Sequence, residues 1–267
     1  MHKCVPAGIY LCIVDADLAF GWSVRCPKNP AGHSGFALGG GGVVLAGMVT
    51  VKICGVRRVA DALLAAEAGA DEIGLLVGRR HESGDFIPVE LAGEIVAACA
   101  GRVTPVLVTH VSNPEEVHAL ARAAGVSVIQ VHSEMPPAGL VRLRVLGGYR
   151  LRKSWHVTGP ESLDYGEAYR GVTDAFLLDS MNAATGQVGG TGRAHDWNLS
   201  REIVARCAGV PVILAGGLNP DNVAAAVMQV RPAGVDVNSG TKGPDGFKDA
   251  EHVRAFVRAA KAVGTEV

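Results

Sequence analysis

Val49-Thr50-Val51-Lys52-Ile53-Cys54-Gly55 follows Met48 directly, and its β-branched residues make it a strand closed by a glycine. Val59, Ala60, Leu63 and Leu64 come next at helical spacing, and a second apolar run then begins at Glu72. The same beat continues to the end of the chain. Strand-like runs fall at Val49–Cys54, Glu72–Val77, Val103–Thr109, Val126–Val131, Tyr149–Lys153, Asp174–Asp179, Val210–Ala215 and Val235–Asn238. Ala-, Leu-, Glu- and Arg-rich stretches separate them. Starts 23 to 36 residues apart are the period of a strand plus a crossover helix, and therefore of a parallel sheet. Eight such units close a (β/α)8 barrel. An open doubly wound sheet gives the same alternation, but eight units with no extra strand favour the closed form.

Residues 1–47 do not share this beat. They include His33-Ser34-Gly35 and the glycine run 39–42, and are read as an atypical N-terminal extension outside a single barrel spanning 48–267. The extension is either a loose segment or an artefact of start-site choice.

Composition removes several classes of function. With 267 residues, 48% hydrophobic and 19% charged, the chain has enough apolar material for a large core and too much for disorder. A formal net charge of -1, without a long charged run, leaves no footprint for nucleic acid or a membrane surface. No stretch of 18 uninterrupted apolar residues is present. The six cysteines form no C-x-x-C pair or zinc spacing, so they are read as reduced thiols of a soluble, cytoplasmic protein with no metal.

A parallel barrel builds its site where strands end, and the candidates follow from that rule. They are Cys54 after the first strand, His110 after the third, His132 after the fourth, Asp179 after the sixth and Asp236 at the eighth. Gly216-Gly217 and Ser239-Gly240 follow the last two strands, where backbone amides cradle phosphate in many barrels. The widest strand spacing marks a long loop, 180–196, whose Gly189-Gly190-Thr191-Gly192 suits a lid draped over an anion.

Taken together, Lys52-Ile53-Cys54-Gly55-Val56, Gln130-Val131-His132, Leu177-Leu178-Asp179, Gly189-Gly190-Thr191-Gly192, Asp196-Trp197, Leu214–Pro220, Asn222-Val223, Val235-Asp236-Val237 with Ser239-Gly240, and Lys248-Asp249 resemble the phosphoribosylanthranilate isomerase family, in order and from Met48 onward. The resemblance implies a cofactor-free Amadori rearrangement of phosphoribosylanthranilate to the carboxyphenylamino-deoxyribulose phosphate in tryptophan biosynthesis. It makes Cys54 the base and Asp179 the acid. Gly190, Thr191, Gly192, Gly216, Gly217, Ser239 and Gly240 would hold the phosphate, with Asp236 organising the loops on that side. The partner it implies is a small phosphorylated sugar-amine, handled by a monomer or homodimer.

The chain departs from the family on the aglycone side. The arginine of the usual Ser-x-Arg element after strand two, expected to hold the anthranilate carboxylate, is absent; the loop reads Gly78-Arg79-Arg80-His81-Glu82-Ser83-Gly84-Asp85. Aligned on Ser83, that position holds Asp85, which would repel a carboxylate; aligned without a gap it holds Ser83, and Arg79 or Arg80 stand as substitutes. Thr109-His110, His132-Ser133 and Gly240-Thr241-Lys242 replace the usual Val-Asn, His-Gly and Gly-Val-Glu. A paralogue acting on another phosphoribosylamine or sugar phosphate, and a non-catalytic barrel that binds a phosphorylated metabolite, therefore stand as alternatives.

Overall fold

The computed structural model describes residues 49–78, 83–182, 187–188, 196–207 and 209–263. Alternation along the first strand, β1 (Thr50–Ile53), sets the architecture. Val51 and Ile53 belong to the large apolar layer beneath the helices, whereas Cys54 joins a separate small cluster with Leu76, Val106, Val108 and Val128. Both faces of the strand are buried, as in a parallel sheet covered by helices and closed on itself.

The remaining strands are β2 (Glu72–Leu76), β3 (Thr104–Thr109), β4 (Val128–Val131), β5 (Arg150–Val157), β6 (Ala175–Asn182), β7 (Gln187–Val188), β8 (Val212–Leu214) and β9 (Gly234–Val237). Parallel pairing runs β5-β4-β3-β2-β1-β9-β8-β6, and β5 also pairs with β6. That last ladder closes an eight-stranded ring and excludes the open sheet. The helices are α1 (Val59–Glu67), α2 (Val89–Ala98), α3 (Pro114–Ala124), α4 (Pro137–Gly147), α5 (Trp197–Arg206), α6 (Val223–Val230) and α7 (Ala250–Ala262). Their ends are set locally. The Asn113 side chain accepts from the Glu116 N–H ahead of α3, Pro114 opens that helix, and Asp249 accepts from the His252 N–H at the start of α7.

Inside the ring, polar side chains lie between two apolar clusters, the second made of Ala175, Leu177, Ile213 and Ala215. Lys52 Nζ donates to Gln130 Oε1 and to Asp236 Oδ2, both at 2.9 Å, and Arg152 grips Glu72 with two nitrogens. The Lys52–Gln130 and Arg152–Glu72 contacts join strands that are not neighbours, so they cross the interior.

Three features depart from expectation. β5 runs to Val157, so Lys153 is not a rim residue; its ammonium is buried outside the ring, 5.2 Å and 5.3 Å from the Tyr165 and Tyr169 ring centres. The crossover after β5 is a 3-10 segment, Pro160–Tyr169, where Trp155 Nε1 donates to the Ser162 carbonyl and the indole lies so close to Gly166 that a Cβ there would stand 2.1 Å from it. β6 extends to Asn182 and pairs antiparallel with β7, so the long loop begins as a hairpin. The lid residues Gly190, Thr191 and Gly192, the arginines Arg79 and Arg80, and the extension 1–47 lie outside the described residues. No described helix is long and apolar enough to cross a membrane.

Candidate active site

Because the ring strands are parallel, their carboxyl ends share one mouth. Cys54, His110, His132, Asp179 and the loops after β8 and β9 all belong to that end, as does Asp85 in the segment after β2.

On the β1 side, the Cys54 thiol is buried next to Gly74, where a Cβ would lie 2.6 Å from Sγ. The absent side chain on β2 is the space the sulfur occupies. Burial, and next the Asp236 carboxylate, push the thiol up to about 11 despite the ammonium groups of Lys52 and Lys248. Desolvation thus outweighs the two cations. Burial also opposes the charge on Lys52, but Asp236 and Cys54 outweigh it and raise its pKa above the ordinary lysine value. Lys248 is drawn down to about 8, chiefly by burial, and donates to the Asn238 carbonyl at 2.8 Å.

Asp236 sits within the ring on β9, paired with Lys52 beneath Cys54. Its other oxygen, Oδ1, is buried without a hydrogen-bond partner among the described residues.

The opposite wall carries Asp179. His132 Nε2 is 3.8 Å from Asp179 Oδ2, and His132 Nδ1 shares a 2.8 Å hydrogen bond with Ser154 Oγ. Ser154 Oγ in turn accepts from Gln130 Nε2 at 3.4 Å, and Gln130 Oε1 accepts from Lys52. A polar chain thus spans the mouth from beside the thiol to the carboxyl. Burial first, then His156 and His110, hold His132 well below the usual imidazole range, so the ring is neutral at pH 7.

Histidine rings line the adjoining rim. His110 and His132 lie 4.6 Å apart between centres, His132 and His156 4.9 Å, and Phe86 reaches His110 at 5.6 Å. This wall of flat rings suits an aromatic group. His132, His156 and Asp179 offer ligand atoms within 4.8 Å of one another. Tetrahedral zinc brings ligand atoms to roughly 3.4 Å, so the trio would have to contract to bind it. We read it as holding and handling protons.

In the loop after β8, Gly216 and Gly217 take φ of 83° and 66°, a left-handed turn that Cβ-bearing residues resist. A Cβ on Gly240 would stand 2.1 Å from the Leu218 carbonyl, so the loop after β9 rests directly on the loop after β8. Asn222 fastens the first loop by donating to the Gly217 carbonyl at 2.9 Å.

Asp85 is not the free acid its sequence position suggested. Lys242 Nζ contacts its two oxygens at 2.6 Å and 2.8 Å, Asn238 Nδ2 donates to it at 2.9 Å, and Arg57 Nε stands 3.8 Å away. Burial works against the carboxylate, but the Lys242 and Asn238 hydrogen bonds outweigh it and hold its pKa below the ordinary aspartate value.

Lys52, Gly74, His156, Asn238, Lys242 and Lys248 were not singled out as site residues from the sequence. Lys52 alone carried a usable signal, since two residues before Cys54 is the same strand face.

The family described as N-(5'phosphoribosyl)anthranilate (PRA) isomerase matches residues 51–259. The chain belongs to this family. The N-(5'-phosphoribosyl)anthranilate isomerase 2 of Methanosarcina mazei is 45% identical over 212 residues, 79% of this chain and 93% of that protein. The crystal structure of phosphoribosyl anthranilate isomerase from Thermus thermophilus superposes with a TM-score of 0.69 at 31% identity, over 80% of this chain and 100% of the other. Another phosphoribosyl anthranilate isomerase, solved with reduced 1-(o-carboxyphenylamino)-1-deoxyribulose 5-phosphate, superposes at 0.66 with 30% identity, over 80% and 100% of the two chains. The closed eight-stranded barrel is the fold this phosphoribosylanthranilate isomerase family member shares with those structures.

Proposed function

We propose that the chain isomerises phosphoribosylanthranilate to the corresponding carboxyphenylamino-deoxyribulose phosphate, the Amadori step of tryptophan biosynthesis. Asp179 gives its proton to the furanose ring oxygen, the ring C–O bond breaks, and the nitrogen lone pair forms the iminium. Cys54, as thiolate, removes the C2′ proton; the resulting enolamine tautomerises to the aminoketose. Every hydrogen moved is internal to substrate, enzyme and water, so no redox carrier is required.

The observation that carries this reading is the polar chain Lys52–Gln130–Ser154–His132, which ties the surroundings of the thiol to those of the carboxyl across the mouth. Lys52 and Lys248 supply positive charge to the thiolate, and His132 orients Asp179. Gly216, Gly217, Ser239 and Gly240 cradle the phosphate. Phe86, His110, His132 and His156 face the anthranilate ring. The paralogue reading rested in part on Asp85 as a repelling charge, and the Lys242 contact removes that part of its support. The buried free thiols Cys54, Cys99 and Cys207 fit a reducing cytoplasm.

The loss of substrate fluorescence on isomerisation measures the activity. Cys54→Ala and Asp179→Ala should each slow turnover about a hundredfold or more. Near-normal turnover in either variant sinks its assignment, and a wild-type chain that leaves phosphoribosylanthranilate unchanged sinks the proposed reaction.

A further inference from the structure

The substrate proposed above carries a carboxylate on its aromatic ring, and an anion entering a largely buried mouth needs a cation to meet it. The described cations around Cys54 differ in what they have left to give. Lys52 is 1% exposed and spends its ammonium on Gln130 and Asp236. Lys248 is also buried and is bound to the carbonyl and side chain of Asn238 and to Thr241 Oγ1. Arg57 is a strap, donating to the Gly84 and Gly246 carbonyls while its guanidinium lies over the Phe247 ring at 4.4 Å. Lys242 differs from all three. Its side chain is 24% exposed, and the bonds found for its Nζ both go to Asp85. An ammonium has three donors.

Asp85 also fixes where that ammonium points. Its carboxylate is held by Asn238 Nδ2, and the Asn238 side chain lies so close to Gly55, the residue after Cys54, that a Cβ on Gly55 would stand 2.3 Å from Oδ1. The Asp85–Lys242 pair is therefore built onto the backbone that carries the thiol. With Arg57 also alongside, two cations flank one carboxylate, and the group keeps a positive surplus. From this arrangement we infer that Lys242, braced by Asp85, is the anchor for the aglycone carboxylate in this chain. Two departures from the family pattern, an acid after β2 and a lysine after β9, then form a single ion pair. This assignment rests on the proposed activity and names the residue that selects its substrate.

Titration calorimetry with two non-reacting ligands tests it: the reduced carboxyphenylamino-deoxyribulose phosphate and its carboxyl-free anilino counterpart. The wild-type chain should prefer the carboxylated ligand about 10- to 100-fold, the range of a charge-assisted hydrogen bond. Lys242→Met should erase that preference, and Lys242→Arg should keep most of it. An unchanged preference in Lys242→Met overturns the assignment, and so does an equal loss of affinity for both ligands. If the wild-type chain isomerises phosphoribosylanthranilate yet binds the two ligands alike, the anchor alone is wrong. If it neither isomerises nor binds them, the proposed activity falls and takes the anchor with it.

Discussion

Gly74 on β2 and Cys54 at the end of β1 occupy each other's space: a Cβ on the glycine would stand 2.6 Å from the sulfur and 3.1 Å from the cysteine Cα. The sulfur must therefore rotate away if that position gains a methyl group. Gly74→Ala should leave the barrel folded, because its backbone is not left-handed. Turnover should drop about tenfold or more, the scale on which misplaced reacting groups lose rate. Steady-state kinetics beside a thermal melt checks this; full activity in a folded variant would show that the thiol position is not critical.

A thiol titrating at about 11 is protonated at neutral pH, so the reactive thiolate is a small minority there. Its fraction grows about tenfold per pH unit below the pKa. Between pH 6 and pH 7.5, the residual kcat/KM of Asp179→Ala, which no longer needs a protonated acid, should rise with pH, with the slope easing as Lys248 begins to lose its proton near 8. A flat profile over that interval would mean that another group is the base.

Arg152 and Glu72 form a fully enclosed pair across the ring floor. Replacing Arg152 by Met leaves a buried carboxylate without its partner and should cost about 3–5 kcal/mol in urea unfolding. Adding Glu72→Leu removes that stranded charge and should recover most of the loss. No recovery in the double variant would mean that the pair does more than satisfy itself.

Acid should loosen the brace of Lys242. The Asp85 pKa is lower in the folded chain than its ordinary 3.8, so its contribution to stability is present above that value and disappears as pH falls below it. Melting curves of wild type and Asp85→Asn should differ at pH 6 and converge toward pH 3. A constant gap would show that the charge of Asp85 plays no part.

The register of eight β-branched runs was legible from the chain because strand spacing and face alternation are local properties. So were Cys54, His132 and Asp179, since parallel strands place their carboxyl ends together without further information. The boundary of β5 was not legible. The run breaks at Lys153 in sequence, yet pairing with β6 carries the strand on to Val157 and brings His156 to the mouth.

Sequence by itself thus determined the eight strands of the ring, their order, and which of them deliver the thiol and the carboxyl. Tertiary structure alone decided the state of those groups. Asp85 and Lys242 lie 157 residues apart, and only ring closure through β9 makes a suspected repulsive acid into half of an ion pair. The thiol pKa was likewise out of reach, because desolvation and the placement of Asp236, Lys52 and Lys248 around one sulfur depend on distances that no local pattern encodes.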